Sequence, residues 1–474
     1  MTALLCGCAG DQAGGILNPT TALPSDAPRV LGGQDRSPDR DHAQLVAAFG
    51  GEYRAPQAHQ LVTEVTGRLV RASERPAEGY EVTLLDSPVV NAFALPNGRL
   101  YVTRGLIALA NDTSELAAVL AHEIGHVTLR HASARLELEA RSVLISRVAA
   151  DVLNDPVAGA MLRDRSRFTL ASFSRAQELE ADQIGVTTLA KAGFDPYGAS
   201  RFLNSLGRNV NLRSAALGDA GKTSSPDMLS THPSTPERVS LAMQAARRIG
   251  APGIGQDDRT RYLSAVDGLA YGDNPADGLV RGRRFLHPRL GVAFEAPEGF
   301  ALENTSRAVL GGSNDGARRL LFDAVEVKDG QSLEDVLRTT WSDAIETGSI
   351  ESTGINGFPA ALATSRGKDW TFRLAAMRVG SNTYRIILAA RLASEIDAPF
   401  RRMLDSVRQV TTEEAKTLSP LKLRIVAAQP GDTVEGLASR MAVPDRPSDR
   451  FLVLNGLERG AVLKPGERYK TVVE

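Results

Sequence analysis

The sequence predicts an α+β protein of several domains: a mainly helical domain with a small β-hairpin, an α+β domain with an antiparallel sheet, and a short β-α-α-β module. The 474 residues correspond to about three domains at roughly 150 residues each. Hydrophobic residues make up 42% and charged residues 23% of the chain, proportions that exclude wholesale disorder. Helical spacing of apolar residues dominates the first part of the chain, and alternating strand patterns dominate after residue 280.

Charge and cysteine usage exclude several classes of protein. The 55 Lys and Arg residues against 56 Asp and Glu residues leave a net charge of −1, so the chain lacks the basic footprint of a nucleic-acid binder. No run reaches the roughly 18 apolar residues of a membrane-spanning helix. Because Cys6 and Cys8 are the only cysteines, the rest of the chain cannot hold an intrachain disulfide, a cysteine-ligated zinc ion or a thiol nucleophile.

The N-terminal segment predicts an anchor and a tether. Leu5-Cys6-Gly7-Cys8 resembles the lipobox of a bacterial lipoprotein signal, with Cys8 as the lipidated residue and residues 1–8 as a signal remnant. Residues 9–40 are rich in Gly, Pro, Asp and Ser without apolar periodicity, which is typical of a flexible linker. The alternative is a frayed N-terminus with two idle cysteines, since the apolar run is short and no basic residues precede it.

Residues 41–272 are predicted to form the helical domain. Its small sheet is predicted from three strand segments, over 81–85, 91–95 and 99–103. The tight-turn signal Pro96-Asn97-Gly98 lies between the second and the third. A helix over about 116–130 is predicted to start at Asp112, an N-cap with Glu115 three residues later. Apolar periodicity predicts further helices over about 58–72, 133–154, 171–191, 196–206 and 235–248.

Residues 280–412 are predicted to form the α+β domain. Two helical patterns, near 332–345 and 399–407, interrupt a strand-rich region, which favours an antiparallel sheet. The strands are predicted over 291–296, 319–327, 360–364, 370–379 and 383–390. The segment from Phe285 to Phe300 is similar to the opening of PsbP/Mog1-like domains, a likeness from which no function follows.

Residues 420–474 are predicted to form a module of strand, two helices and strand. The predicted elements cover 423–427, 434–441, 451–457 and 468–473. The turn Gly431-Asp432-Thr433, Asn455 and the late Pro465-Gly466 resemble the hallmarks of a LysM module. That resemblance implies contact with peptidoglycan or a chitin-type glycan. The alternative is a small docking module that has lost glycan binding.

Three of the seven histidines lie within ten residues, in the segment that the capped helix covers. His122 and His126 are spaced i and i+4, so a helix presents both imidazoles on one face to a single tetrahedral Zn²⁺. Glu123 is rotated about 100° from His122 and can therefore reach a water on the metal. His131 lies off the ligand face and is predicted to support a ligand or to be structural. The alternative is a polar helix face whose histidines are merely hydrogen-bonded.

A catalytic zinc ion usually has a third protein ligand, and the helix over 171–191 offers one. Glu178 and Asp182 lie on one face, whereas Glu180 points about 200° away from Glu178. The spacing favours Glu178 as the ligand and Asp182 as the carboxylate that orients a ligating imidazole. Glu180 is predicted to be a solvated charge. The alternative for the pair is an ordinary helix face that is salt-bridged to Arg175.

Three motifs in order carry a resemblance to a known family: Asn91–Ile107, His122–His126 and Ser174–Asp182. Together they resemble the zinc peptidases that include CAAX prenyl endopeptidase, HtpX and BepA, over roughly residues 45–250. The resemblance implies a gluzincin fold, one zinc ion per chain on His122, His126 and Glu178, and Glu123 as the catalytic base. Since the sequence lacks the spanning helices of the membrane-embedded members, it is closer to the soluble periplasmic BepA-like branch.

The segment Ser230-Thr231-His232-Pro233 resembles the His-Pro segment that follows the zinc glutamate in soluble members of this family. A mobile His232 at the open zinc position would gate activity, or the segment is simply a helix-entry turn. Arg238 is predicted to stabilise an oxyanion or, the favoured alternative, to form a salt bridge. The other histidines are predicted to be surface or core residues: His42, His59 and His287.

These observations predict a zinc endopeptidase that is periplasmic and anchored by lipid to the outer membrane of a Gram-negative bacterium. Misfolded envelope proteins are the expected substrates, peptidoglycan is an expected partner of the LysM-like module, and nucleic acid is not expected. An extended substrate is expected to add to the sheet edge at 91–95 or 99–103. The rival prediction is a chaperone or binding lipoprotein, tethered to peptidoglycan, whose zinc is structural or whose site is latched shut.

Overall fold

A computed structural model describes residues 38–76, 79–131, 173–217, 228, 232, 235–305, 308–328, 330–341, 345–443 and 445–474. The predicted signal remnant with Cys8, most of the predicted linker and the predicted helix over 133–154 lie outside these residues. The chain divides into two compact units. The helical unit takes its described residues from 27–210, 225–272 and 420–474, and the sheet unit takes them from 211–224 and 273–419.

The described residues form thirteen α-helices and seventeen strands. The helices are α1 (Pro38–Ala48), α2 (Pro56–Ala72), α3 (Arg104–Leu109), α4 (Thr113–Thr128), α5 (Arg175–Lys191), α6 (Gly198–Leu217), α7 (Pro236–Ile249), α8 (Arg259–Val266), α9 (Leu333–Thr340), α10 (Asp397–Asp405), α11 (Thr412–Thr417), α12 (Val434–Ala438) and α13 (Pro447–Leu454). The strands are β1 (Glu81–Leu85), β2 (Ala92–Leu95), β3 (Arg99–Thr103), β4 (Ala270–Tyr271), β5 (Leu279–Arg281), β6 (Arg284–His287), β7 (Val292–Glu295), β8 (Phe300–Asn304), β9 (Ala308–Ser313), β10 (Arg318–Val325), β11 (Glu351–Ile355), β12 (Phe358–Arg366), β13 (Trp370–Val379), β14 (Asn382–Arg391), β15 (Arg408–Gln409), β16 (Leu421–Ala427) and β17 (Arg468–Val473).

The predicted α+β layout is confirmed, and the largest differences from the predicted bounds have local causes. Helix α1 begins at Pro38, inside the predicted linker, because proline suits the first turn of a helix. Helix α5 begins only at Arg175, because Ser174 forms a reciprocal capping box there. Strand β9 was not predicted, because it contains glycines, which have a low strand propensity. The packing requires a glycine at 311, since a Cβ there would lie 3.0 Å from the Leu302 side chain.

The small sheet of the helical unit has the strand order β1-β3-β2. Strand β3 pairs with β1 in parallel and with β2 in antiparallel orientation, across a turn in which Gly98 has φ of +79°. Strand β3 is therefore central, so the expectation that 99–103 could present an edge to a substrate is wrong. Strand β2, which packs beside α4, is an edge of this sheet.

The sheet unit is built on a seven-stranded antiparallel sheet with the order β11-β12-β13-β14-β10-β9-β8. Along β14, Tyr384 and Ile386 face one apolar cluster with Phe400 of α10, and Ile387 faces another with Val336 of α9. Because side chains alternate between the two faces, a strand covered on both sides is continuously buried, as β14 is from Thr383 to Ala390. A four-stranded sheet with the order β15-β7-β6-β5 covers the first of these faces.

The C-terminal module shows strand, helix, helix and strand in the predicted order, and it belongs to the helical unit. Strand β16 pairs with β17 and also with β4. The fully buried Lys470 donates from Nζ to the carbonyls of Ala108 and Ala110, both at 2.8 Å, at the end of α3. Asn455, a residue of the LysM resemblance, bonds the Lys470 backbone through both of its side-chain atoms. This module is thus docked on the helix that precedes α4.

None of the helices in the described ranges combines the length and the apolar character that crossing a bilayer requires.

Candidate metal centre

Helix α4 carries the two spaced histidines into the interior of the helical unit. The Asp112 side chain accepts a hydrogen bond from the Glu115 backbone N–H at 2.9 Å, as the capping prediction requires. The Glu115 carboxylate accepts in return from the backbone N–H of Asn111, one residue before the N-cap. Every residue from Thr113 to Val127 is buried. The polar residues of this helix therefore lie in the protein core, where they need partners.

Two glycines allow α5 to pack closely against α4. A Cβ on Gly185 would lie 3.3 Å from the backbone nitrogen of His122, and one on Gly125 would lie 3.3 Å from the Ala181 carbonyl oxygen. Larger residues at either position would push the helices apart by a few tenths of an ångström or more. The close approach places Glu178, in the first turn of α5, beside the α4 histidines.

Four buried side chains form a donor cluster: His122, His126, Glu178 and His232 offer one ligand atom each within 4.8 Å of one another. The His122 Nε2 atom lies 3.0 Å from His126 Nε2 and 3.2 Å from His232 Nδ1. The Glu178 Oε1 atom lies 2.9 Å from His232 Nδ1 and 3.5 Å from His126 Nε2. Adjacent ligands of a tetrahedral zinc ion lie roughly 3.3 Å apart, so these atoms have the spacing of one coordination shell.

The charges at the donor cluster also fit a divalent cation. Among the described residues that line it, the carboxylates are Glu123, Glu178 and Asp182, and the guanidinium is that of Arg238. Burial lowers the pKa of both α4 histidines, which favours the neutral imidazole that binds metals. When all three carboxylates are ionised and the imidazoles are neutral, these groups leave two negative charges uncompensated, and one Zn²⁺ ion would balance them.

Asp182 and Arg238 support the first histidine. The Asp182 Oδ1 atom lies 2.9 Å from His122 Nδ1, and Arg238 donates to both Asp182 oxygens at 2.7 and 2.8 Å. Arg238 Nη1 also lies 2.7 Å from Glu178 Oε2. Burial alone would raise the pKa of Asp182, but hydrogen bonds from Arg238 and His122 lower it to about 2. Arg238 thus occupies the salt-bridge position that the sequence favoured over an oxyanion role.

Glu123 lies beside the donor cluster without belonging to it. Its Oε1 atom lies 3.8 Å from His232 Nε2, and the nearby backbone N–H of Ala94 in β2 partly offsets the rise in the pKa of its carboxyl. Burial, and next the negative charge of Glu178, raise the pKa of Glu123 well above its ordinary value. A carboxylate with a raised pKa next to a metal site is typical of a general base.

Comparison with protein families identifies this part of the chain. The model of "Peptidase family M48" matches residues 56–246. These residues form an M48 peptidase domain. The family resemblance drawn from the three motifs is confirmed for this domain, which contains the donor cluster, Glu123, Asp182 and Arg238.

Relatives of the M48 domain include two proteins that are named as proteases. The mitochondrial metalloendopeptidase OMA1 of Arabidopsis thaliana is 35% identical over 166 residues, which are 35% of this chain and 31% of that protein. The beta-barrel assembly-enhancing protease of Escherichia coli (strain K12) is 31% identical over 218 residues, 44% of this chain and 43% of that protein. The chain thus spans less than half the length of either. A crystal structure from Bacteroides thetaiotaomicron VPI-5482 has a TM-score of 0.24 and 12% identity, over 30% of this chain and 53% of that chain.

His131 and Glu180 form a second link within the M48 domain. Glu180 is solvent-exposed as predicted, with 63% of its side chain accessible, and its Oε2 atom also lies 3.3 Å from His131 Nε2. His131 Nδ1 lies 2.8 Å from His126 Nδ1. His131 is not among the donor atoms and contacts the second ring nitrogen of His126, which agrees with its predicted position off the ligand face.

Phe173 is a site residue of the M48 domain that the sequence reasoning missed. Its ring stacks on His126 with centroids 4.0 Å apart and lies 5.2 Å from the His232 ring. The only sequence signal was an aromatic residue directly before the Ser174 N-cap.

The remaining histidines lie away from the donor cluster. His42 Nδ1 is 2.9 Å from the Tyr101 hydroxyl, and His59 Nε2 is 3.1 Å from the Val82 carbonyl oxygen. His287 is buried in the sheet unit, where its Nδ1 accepts from the backbone N–H of Leu290 at 3.3 Å. Within the ranges that the structure describes, the donor cluster is the one group of His, Cys, Asp and Glu residues with metal-binding spacing.

Proposed function

We propose that this protein is a zinc endopeptidase of the bacterial cell envelope that cleaves unfolded or misassembled proteins. The observation that carries the proposal is the buried donor cluster beside Glu123. The relatives named metalloendopeptidase and beta-barrel assembly-enhancing protease support an endopeptidase with envelope proteins as substrates. The lipobox resemblance at Cys8 supports a lipid anchor and a periplasmic location.

The residues of the candidate metal centre have distinct roles in the proposed peptide hydrolysis. Zinc held by His122, His126 and Glu178 would supply a Lewis acid that activates a water molecule near neutral pH. Glu123 is positioned to accept the proton of that water and to return it to the leaving amine. Asp182 favours the tautomer in which His122 keeps Nε2 free to ligate.

Strand β2 is proposed to bind the substrate backbone. It is an edge of its sheet, it packs beside α4, and the backbone N–H of Ala94 acts on the pKa of Glu123. A peptide that adds to β2 as a further strand would therefore lie next to the proposed base. Addition of a strand requires an extended chain, which favours unfolded segments over folded ones.

The position of His232 favours a second candidate function, a latched protease that acts as a binding lipoprotein. Its Nδ1 atom is a fourth donor atom of the cluster, beside those of His122, His126 and Glu178. A catalytic zinc site keeps its fourth position open for water or substrate, and His232 would fill that position. If His232 is a gate, His232→Ala should cleave casein faster than the wild type. If every form is inactive despite bound zinc, the latched binding protein is the better description. Any glycan contact of the C-terminal module would use surfaces other than Lys470 and Asn455, which are buried.

The proposed function is tested with purified wild-type protein, Glu123→Gln and His126→Ala. We expect about one zinc ion per chain in the first two and a large loss in His126→Ala. Casein cleavage by Glu123→Gln should fall by about 10³-fold, since a general base contributes roughly 10²–10⁴-fold. Glu64→Gln, an exposed partner of Arg261, is the matched control and should behave as the wild type. Undiminished cleavage by Glu123→Gln would contradict the role of that residue.

A further inference from the structure

The two α4 histidines of the donor cluster use their second ring nitrogens differently. His122 Nδ1 faces Asp182, a carboxylate that Arg238 binds through two hydrogen bonds. His126 Nδ1 faces another imidazole, with His131 Nδ1 at 2.8 Å. The chain of contacts continues from His131 Nε2 to Glu180 Oε2 at 3.3 Å and so reaches the surface. His126 therefore has its own support, distinct from that of His122.

The short distance between the two Nδ1 atoms restricts the tautomers of both rings. Two ring nitrogens at 2.8 Å form a hydrogen bond only if one carries the proton and the other accepts it. Because His126 Nε2 faces the donor cluster as a bare ligand atom, its Nδ1 must carry the proton and donate it to His131. His131 then carries its own proton on Nε2, where Glu180 accepts it. One tautomer of each ring satisfies every contact.

The ring of His126 is also held from its flat side. Phe173 stacks on it with an angle of 23° between the ring planes. A flip of the imidazole would break the bond to His131 and turn Nε2 away from the other donor atoms. The hydrogen bond fixes which nitrogen faces the cluster, and the stacking fixes the plane of the ring.

We propose that His131 and Glu180 are positioning residues of the metal centre, which hold His126 in the tautomer and orientation that ligate a divalent cation. This inference rests on the proposed zinc site and adds to it a support that runs to the protein surface. His131 acts directly on the ligand, and Glu180 acts only through His131. Loss of such supporting groups typically weakens metal binding by about 10- to 100-fold.

The test measures Zn²⁺ affinity by competition with a chromophoric chelator, together with the visible absorption spectrum of Co²⁺-loaded protein. His131→Phe keeps an aromatic ring but removes the acceptor, and its affinity should fall by about 10- to 100-fold with a changed Co²⁺ spectrum. His131→Asn places an acceptor oxygen near the position of Nδ1 and should recover most of that affinity. Glu180→Ala should lose about two- to five-fold, since its side chain is largely exposed. Glu64→Ala is the matched control and should bind as the wild type.

The double variant His131→Phe/Glu180→Ala tests whether the two residues act in series. If Glu180 acts only through His131, the double variant should bind no more weakly than His131→Phe alone. Losses that multiply would overturn the serial arrangement.

Two reference measurements separate this inference from the proposed function. If wild type binds Zn²⁺, His126→Ala does not, and the His131 and Glu180 variants bind as wild type, the positioning role is overturned and the zinc site stands. If His126→Ala binds as well as wild type, the zinc site itself is wrong. Circular dichroism of the metal-free variants reports folding. If His131→Phe does not fold, the Zn²⁺ affinities of His131→Asn and Glu180→Ala test the proposal instead. An unchanged Zn²⁺ affinity of Glu180→Ala would then overturn it.

Discussion

The two units of the molecule bury charge in opposite ways. In the sheet unit, Arg385 donates to both oxygens of Asp323 at 3.0 and 2.6 Å and to the Thr340 carbonyl at 2.7 Å. One cation thus meets one anion, and both are buried. In the M48 domain, three carboxylates lie at the donor cluster, and among the described residues there Arg238 carries the one guanidinium. Burial favours the neutral form of the His122 and His126 imidazoles beside them.

In this molecule the uncompensated buried carboxylates coincide with the candidate metal site, whereas the balanced pair does not. In a balanced pair such as Arg385 and Asp323 the two charges compensate each other, so no bound ion is required. An excess of buried negative charge beside neutral imidazoles is unfavourable until a cation binds. Binding of the metal is therefore expected to stabilise the M48 domain and to leave the sheet unit unchanged.

The largest effect on stability is expected when the balanced pair is broken. Arg385→Met leaves the Asp323 carboxylate buried without its cation, so the free energy of unfolding of the sheet unit should fall by about 3–5 kcal/mol. The double variant Arg385→Met/Asp323→Leu should recover most of this loss. Denaturant unfolding measures both. Arg338→Met, which removes a half-exposed partner of Asp335, is the control. Equal effects of Arg385→Met and Arg338→Met would refute the comparison.

Removal of the metal should lower the stability of the M48 domain and leave that of the sheet unit unchanged. At free Zn²⁺ a hundred times the dissociation constant, binding stabilises the native domain by about 2.7 kcal/mol, and a chelator should abolish this contribution. Differential scanning calorimetry with and without chelator should show the M48 transition move to lower temperature, while the transition of the sheet unit serves as the internal control. A shift of both transitions, or of neither, would contradict the assignment of the unbalanced cluster.

Lys470 extends the comparison to a buried cation of the helical unit whose hydrogen-bond partners are neutral carbonyls. Its ammonium is satisfied by the carbonyls at the end of α3, so Lys470→Met should lower the free energy of unfolding by about 2 kcal/mol. Zinc content should not change, since this residue carries no part of the donor cluster. Lys464→Met, which removes an exposed partner of Glu467, is the matched control. Thermal unfolding and metal analysis of both variants check the prediction, and a loss of zinc in Lys470→Met would count against it.

The smallest effect concerns acid sensitivity of the sheet unit. Burial, and next the charge of Arg289, lower the pKa of His287 to about 4. The unfolded chain, in which a histidine has a pKa of about 6.5, takes up a proton that the folded unit does not. Stability should therefore be constant above about pH 6.5 and fall as the pH drops toward 4, by about 1–2 kcal/mol at pH 5. His287→Gln should flatten this dependence in the sheet-unit transition, and an unchanged pH profile would refute the contribution of His287.

The parts of the fold and site that were predicted correctly depend on residues close in sequence. Helix α4 followed from the cap at Asp112 and from apolar spacing, and the pairing of Glu178 with Asp182 on one face followed from a spacing of four residues. The strands that escaped prediction, such as β5 and β9, are short or rich in glycine, so their patterns are too brief to detect.

By itself the sequence determined the chemistry available to this protein, because donor types and helical spacing are local properties. It also determined the order of a helical region, a strand-rich region and a β-α-α-β module. Only the tertiary structure decided that His232 joins the donor cluster, that Phe173 stacks on His126 and that Lys470 docks on α3. These contacts join segments far apart in the chain, and their geometry depends on how closely packed elements approach, as Gly185 permits at His122. Periodicity relates residues within a few turns and carries no information about such approaches.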